Sequence, residues 1–281
     1  MTDQDKSTTM KGRIAVVTGA SRGIGRGIAV ALGARGCKVF VTGRTSGPGP
    51  RTIDSAAEAV TAAGGEGIAI QCDHGDDAQI AALFQKVGEQ VDHIDYLVNN
   101  VYKIPSPPAW GGGFWDHPIQ VWDDQVGIGL RAHYVASWHA ARLLFAAPAG
   151  AAILNVSSPG GQSYHFSSSY GAGKAGLDRL TADMAIELEP KGVACCALYP
   201  GSVATEFIQD AAQTQDIDLS QSQSTTFVGD NAAALLAAPD LLQRTGTIQW
   251  VEDLAEEFDL YEADGTRPPK YAQRAGTGAP A

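Results

Sequence analysis

Apolar residues arrive in short unbroken runs separated by longer stretches of mixed character. Residues 14–17, 39–41, 67–71, 94–98, 152–156, 193–198 and 247–251 read as strands. Their apolar content is nearly continuous rather than alternating, as expected of strands covered on both faces. Between them, 28–32 reads as the core of a helix that stops before Gly36, and 54–63 as a helix ended by Gly64-Gly65. Residues 76–90 form an amphipathic pattern with Ile80, Leu83, Phe84 and Val87 on one face. Longer helices are predicted over 122–147 and 170–188. Strands that alternate with helices predict an α/β fold: a doubly wound parallel sheet forming a single domain over 1–281.

Three stretches depart from that rhythm. The segment 102–120 carries Pro105, Pro107, Pro108, three successive glycines from Gly111, and the aromatics Trp110, Phe114 and Trp115. A loop this long inside an α/β domain is usually functional, and it is expected to face a substrate. Residues 206–227 are polar and rich in Gln and Ser, as expected of a mobile lid. From about 264 onward Gly, Pro and Ala predict a loosely held tail.

Composition narrows the partners. The 281 residues carry a net charge of -11, which argues against nucleic acid or an anionic membrane. Cys37, Cys72, Cys195 and Cys196 lack CxxC spacing and read as free thiols of a reducing compartment. Residues 1–13 are polar, without the apolar core of a signal peptide, and no run approaches the roughly 20 apolar residues of a membrane span. A cytoplasmic location is the expectation. The histidines show no metal-ligand spacing, so no metal is expected.

The chemistry starts at Thr18-Gly19-Ala20-Ser21-Arg22-Gly23-Ile24-Gly25, between the first strand and the first helix. Glycines there allow a tight turn and a close approach of backbone to a pyrophosphate. The free amides of the following helix face the same ligand. A nucleotide is therefore expected at this turn.

Further motifs follow in order: Cys72-Asp73, Leu97-Val98-Asn99-Asn100, Asn155-Val156-Ser157-Ser158, Tyr170-Gly171-Ala172-Gly173-Lys174 and Pro200-Gly201-Ser202-Val203-Ala204-Thr205. With the glycine turn, these stretches resemble the short-chain dehydrogenase/reductases over about 12–255, a family with the Rossmann fold. Trp122-Asp123-Asp124, Leu130-Arg131-Ala132-His133-Tyr134, Ser157-Ser158-Pro159-Gly160 and Asp264-Gly265-Thr266-Arg267-Pro268 narrow the resemblance to one branch.

The resemblance implies hydride transfer between a nicotinamide cofactor and a carbonyl or secondary alcohol. Tyr170 would be the acid/base. Lys174, four residues on and on the same helix face, would lower the phenol pKa and anchor the cofactor ribose. A serine orients the substrate oxygen. Strand position favours Ser158, while the spacing of thirteen residues before Tyr170 favours Ser157, and both stay open. Gly19, Ser21, Arg22, Gly23, Ile24 and Gly25 would hold the cofactor phosphates, Asp73 the adenine edge, and Asn99 the adenosine ribose. Pro200, Gly201, Val203 and Thr205 would shape the nicotinamide pocket. The second strand ends in Val41-Thr42-Gly43-Arg44 without a carboxylate, so Arg44 and Arg22 favour NADP(H), with NAD(H) as the alternative. The helix over 136–147 and the one from Tyr170 are expected to form a homodimer or homotetramer.

Two departures stand out. The usual Asn-Asn-Ala-Gly reads Asn99-Asn100-Val101-Tyr102 here, and the asparagine that extends the proton relay falls at Gly129. Water, Arg131 or His133 would then complete the relay. Otherwise the chain is a catalytically weak NADP(H)-binding regulatory or scaffold protein.

Overall fold

The computed structural model describes residues 10–271. Seven strands form one parallel sheet: β1 (Ile14–Val17), β2 (Lys38–Gly43), β3 (Glu66–Gln71), β4 (Tyr96–Asn99), β5 (Ala152–Val156), β6 (Ala194–Tyr199) and β7 (Ile248–Trp250). Their order is β3-β2-β1-β4-β5-β6-β7, the doubly wound arrangement expected from the sequence. The order reverses between β1 and β4, where Val17 pairs with both Val41 and Val98. Ligands of such sheets bind beyond the strand carboxyl ends at this switch point.

Alternate residues of each strand feed two cores. Ala15, Val17, Val39, Val41 and Val98 enter one, and Val16, Phe40 and Leu97 enter the other. Helices α1 (Gly23–Ala34), α2 (Ile53–Ala62), α8 (Thr225–Ala237) and α9 (Val251–Glu257) cover the first face. The second is covered by α3 (Asp77–Gly88), α5 (Ala132–Phe145) and α6 (Ser168–Leu188). The short helices α4 (Gln120–Trp122) and α7 (Glu206–Ala212) lie in the connections.

Local sequence explains most helix starts. The side chains of Asp76, Ser167, Thr205 and Ser224 accept backbone amides of α3, α6, α7 and α8, and Thr52 with Ser55 forms a capping box on α2. The N-cap residue of α1, Arg22, offers no acceptor.

Three segments take a form the sequence did not spell out. The long helix over 122–147 begins at Gln120 and widens into a π-helical segment, Asp123–Arg131, before α5. The segment 206–227 holds α7, which has no fully buried residue, and the start of α8; α8 and α9 went unread in the sequence. The tail is held from Asp264 to Tyr271: Lys270 pairs with Asp253 and Glu256 at 3.0 and 2.7 Å, and the Tyr271 ring stacks on Trp250. Residues 272–281 lie outside the described residues. No helix among the described residues is long and apolar enough to cross a membrane.

Candidate active site

The glycine turn is tied to the end of β4. The Thr18 hydroxyl accepts the amides of Asn100 and Val101 at 3.0 and 3.1 Å. The Asn100 amide donates to the carbonyls of Thr18 and Gly19 at 2.9 and 3.0 Å. This contact leaves no room for side chains. A Cβ on Gly19 would stand 2.7 Å from the Val101 Cα, and one on Gly25 only 2.3 Å from Asn100 Nδ2. Asn100 escaped the sequence reading because the motif names two successive asparagines without saying which faces the turn.

Strand alternation decides that. Asn99 ends β4 with its side chain turned into the interior, donating to Ser137 Oγ and Asn155 Oδ1, both at 2.9 Å. Its side chain therefore braces β4 against β5 and α5 rather than lying under a ribose.

A cavity of about 220 Å³ lies beside the turn, lined by Gly19, Ser21, Arg22, Arg44, Asp73 and Tyr102 among others. It is smaller than a usual small-molecule site of ~300–1,000 Å³, so it suits one end of a dinucleotide. Among the described residues, neither the Arg22 nor the Arg44 guanidinium joins an ion pair, whereas Arg51 and Arg131 are paired with Asp210 and Asp77. Two guanidinium groups outside any ion pair, lining one cavity beside the turn, are a donor set that fits phosphate.

The α1 N-terminus itself is engaged. The Gly23 amide donates to Glu206 Oε2 at 2.8 Å, so a carboxylate of α7 stands where the sequence predicted phosphate. Ile24 sits in the first turn of α1 and packs on the core. The run after β6 is clamped by Gln223, another residue the sequence left unread. Its Oε1 accepts the Gly201 amide at 3.3 Å, its carbonyl accepts the Ala204 amide at 2.9 Å, and its amide donates to Glu252 at 2.8 Å. Val203 is buried under that clamp, beside Pro200, and Thr205 caps α7.

The two serines separate cleanly. Ser157 Oγ donates to Asp178 Oδ1 at 2.6 Å, on the side where Tyr199 also donates to Asp178. The Ser158 hydroxyl instead accepts the Gly160 amide at 3.1 Å and lies by the Tyr170 phenol, whose ionised form it favours. Of the two candidates, Ser158 is the one beside the reacting group, and Ser157 is committed to bracing α6.

Lys174 is buried and donates to the Val156 carbonyl at 3.0 Å, with its Nζ 5.9 Å from the Tyr170 ring centroid. Burial lowers its pKa to about 8, opposed by the negative Asp178. The expected lowering of the phenol pKa is not found. Burial drives Tyr170 up to about 12, only partly offset by the Ser158 hydrogen bond. Desolvation penalises the phenolate more than its neighbours favour it, so the resting group is a proton donor at neutral pH.

Arg131 and His133 are not placed to extend a relay. Arg131 lies on the surface in a two-pronged bridge to Asp77 at 2.7 and 2.6 Å. His133 is buried with Nε2 2.8 Å from the Val101 carbonyl, and desolvation pushes its pKa down to about 3.

Aromatic side chains gather next to the phenol. Phe166 meets the Tyr170 ring edge-on at 5.2 Å, and Trp110 links Phe166 at 6.2 Å to Phe207 of α7 at 5.9 Å. Phe166 adopts φ 59°, a left-handed conformation that costs a non-glycine residue about 1–2 kcal/mol. Tyr271 reaches the same mouth through a hydrogen bond with His165 Nε2. The loop over 102–120 thus divides: Trp110 turns inward, while Phe114 and Trp115 pack on each other at 70% and 74% exposure.

Residues 13–216 match the family model described as short chain dehydrogenase. The chain is a short-chain dehydrogenase/reductase. It is 38% identical to dehydrogenase/reductase SDR family member 1 of Mus musculus over 93% of this chain and 86% of that protein, and 36% identical to the Homo sapiens protein. The branch indicated by the sequence is therefore the right one. A solved short chain dehydrogenase from Mycobacterium thermoresistibile superposes with a TM-score of 0.80 at 27% identity, covering 93% of this chain and 92% of that one. One from Burkholderia cenocepacia, solved in complex with NADP, superposes with a TM-score of 0.73 at 29% identity, covering 86% of this chain and 96% of that one. Membership makes the chain an oxidoreductase of a family that pairs a nicotinamide cofactor with small-molecule substrates.

Proposed function

We propose that this short-chain dehydrogenase/reductase is an NADP(H)-dependent reductase of apolar carbonyl compounds. One observation carries the reading: Tyr170, held protonated by burial, stands beside Ser158 and the buried Lys174, next to the cavity of Arg22 and Arg44. The cofactor, when bound, supplies the hydride to the carbonyl carbon or takes it back from the alcohol.

The remaining steps belong to the chain. The Ser158 hydroxyl orients the carbonyl oxygen. Tyr170 gives its phenolic proton to that oxygen as negative charge builds there. The Lys174 ammonium favours the phenolate left behind. The protonated phenol is the form that the reductive direction calls on.

Arg22 and Arg44 suit a 2′-phosphate, and the absence of a carboxylate after β2 gives NAD(H) no partner for its ribose hydroxyls. Ser21 and the turn glycines line the phosphates once Glu206 has been displaced. Asp73 would take the adenine edge, and Pro200, Gly201, Val203 and Thr205 would wall the nicotinamide. Trp110, Phe166 and Phe207 exclude water over the reacting carbon, and their flat faces suit a ring-bearing ketone. The free, buried cysteines favour the cytoplasm. The exposed Trp138 of α5 and Ile186 of α6, at 66% and 71%, favour a homodimer or homotetramer through those helices.

The test is oxidation of NADPH and of NADH with a panel of aromatic and alicyclic ketones, with Tyr170→Phe measured beside the wild type. Turnover with NADPH should fall about 10²–10⁴-fold in the variant, with cofactor affinity retained. Tight cofactor binding without turnover of any carbonyl would instead identify a regulatory nucleotide-binding protein.

A further inference from the structure

We propose that Tyr102, on the loop after β4, is a positioning residue for this reaction: with Gln125 it holds the Lys174 ammonium and the N-terminus of α6 in place. The inference rests on the function proposed above.

Three contacts of the Tyr102 side chain converge on the catalytic helix. Its ring lies over Gly129, where a Cβ would stand 3.1 and 3.3 Å from two ring carbons. A side chain at position 129 would press the ring aside by a few tenths of an ångström. The face of the ring is turned to Lys174, whose Nζ is 5.4 Å from the centroid, inside the ~6 Å reach of a cation–π contact. The same ring meets Tyr170 edge-on at 5.9 Å. The ammonium otherwise donates to one carbonyl, that of Val156.

The hydroxyl end faces Gln125, which favours the ionised phenol against the larger rise that burial imposes. Gln125 Oε1 accepts from Ser167 Oγ at 3.0 Å and from Ser169 Oγ at 2.5 Å. Ser167 Oγ in turn accepts the Tyr170 backbone amide at 3.2 Å. Gln125 and Gly129 both belong to the buried side of the π-helical segment Asp123–Arg131, a distortion often found at functional sites. One tyrosine thus connects that widened turn to the backbone of Tyr170 and to the charge of Lys174.

The groups facing Lys174 are Asp178 and Tyr170 on α6, Tyr102 on its loop and His133 on α5. His133 stays neutral across the working range, and Asp178 is unchanged by substitution at position 102, so the ring contact can be isolated.

The experiment titrates Lys174 by NMR of its side-chain carbons in the full-length protein, comparing wild type, Tyr102→Phe, Tyr102→Leu and Gly129→Ala. The pH profile of carbonyl reduction is recorded on the same samples. Tyr102→Leu removes the ring and should lower the Lys174 titration by about one pH unit. The alkaline loss of kcat should move down with it. Tyr102→Phe keeps the ring and should leave the titration in place while losing a few-fold in kcat. Gly129→Ala pushes the ring aside and should give a smaller shift in the same direction as Tyr102→Leu. An unchanged Lys174 titration in Tyr102→Leu, or a Tyr102→Phe protein that behaves like it, overturns the proposal. If Tyr102→Leu does not fold, an unmoved titration in Gly129→Ala overturns it. Absence of turnover in the wild type would overturn the reductase reading alone, because the lysine titration is read without activity.

Discussion

At the end of the cleft that we assign to the nucleotide, Gly19, Ser21, Arg22, Arg44 and Asp73 come from three successive strand ends on one side of the switch point. At the chemical end, Tyr102, Gln125, Ser158, Tyr170, Phe207 and Tyr271 come from six segments spread over most of the chain. The first region is made of backbone: a turn pressed against β4 so closely that side chains are excluded. The second is made of mostly half-buried side chains gathered around the buried Lys174 ammonium, whose charge is costly to bury. The comparison teaches that the two ends of one cleft draw on different resources. The nucleotide end contributes close packing, and the chemical end spends stability on a desolvated ammonium and a left-handed Phe166.

Lys174→Met tests the second half of that contrast and should have the largest effect on stability. The folded pKa of Lys174 is about 8, below the ordinary lysine value of 10.5. Between those values the unfolded chain binds more protons, so the wild type gains stability as pH rises across that window. Below about pH 8 the full cost of burial is present. The Met variant should therefore be more stable at pH 7 by up to about 3 kcal/mol, an advantage that shrinks to nothing near pH 10.5. Denaturant unfolding at several pH values reads it. A Met variant no more stable at pH 7 would mean that the ring and carbonyl contacts repay the burial in full.

Gly25→Ala tests the first half. The new Cβ would meet Asn100 Nδ2 at 2.3 Å and the Gly19 carbonyl at 2.7 Å, and the second is backbone that cannot rotate away. A loss of about 1–3 kcal/mol is expected, seen as a lowered Tm, together with weaker cofactor binding. A stable variant that binds cofactor normally would show that the turn is looser than its contacts imply.

Glu206→Gln acts where the two halves meet and should have the smallest effect. The Glu206 carboxylate takes the Gly23 amide, and Arg51 of the nucleotide side pairs with Asp210 on the same helix at 2.6 Å. Removing the negative charge should tighten NADPH binding two- to fivefold, the size of a charge at a helix terminus. Isothermal titration would read it. Unchanged affinity would mean that Glu206 leaves the turn without cost.

Much of the fold was legible because both faces of the sheet are covered. Continuous apolar runs such as Ile14–Val17 and Ala152–Val156 admit few readings other than buried strands. Helix α8 was missed because its apolar content, dense around Ala232–Leu236, belongs to a helix buried on several sides and shows little amphipathic rhythm. The contacts of residues 264–271 were not legible for a related reason. The Pro and Gly content there is that of a loose segment, yet Lys270 and Tyr271 find partners on α9 and Trp250 that no local pattern announces.

The sequence by itself determined a doubly wound parallel sheet, a glycine turn between β1 and α1, and the Tyr170/Lys174 pair on one helix face. Each of these depends on spacing within a strand, a turn or a helix. Tertiary structure alone decided which serine meets Tyr170, which asparagine holds the turn, that burial raises the phenol pKa, and that Tyr102 fills the space over Gly129. Those outcomes depend on direction and desolvation. Both are set by what packs against a side chain from distant parts of the chain, and spacing along the sequence does not encode them.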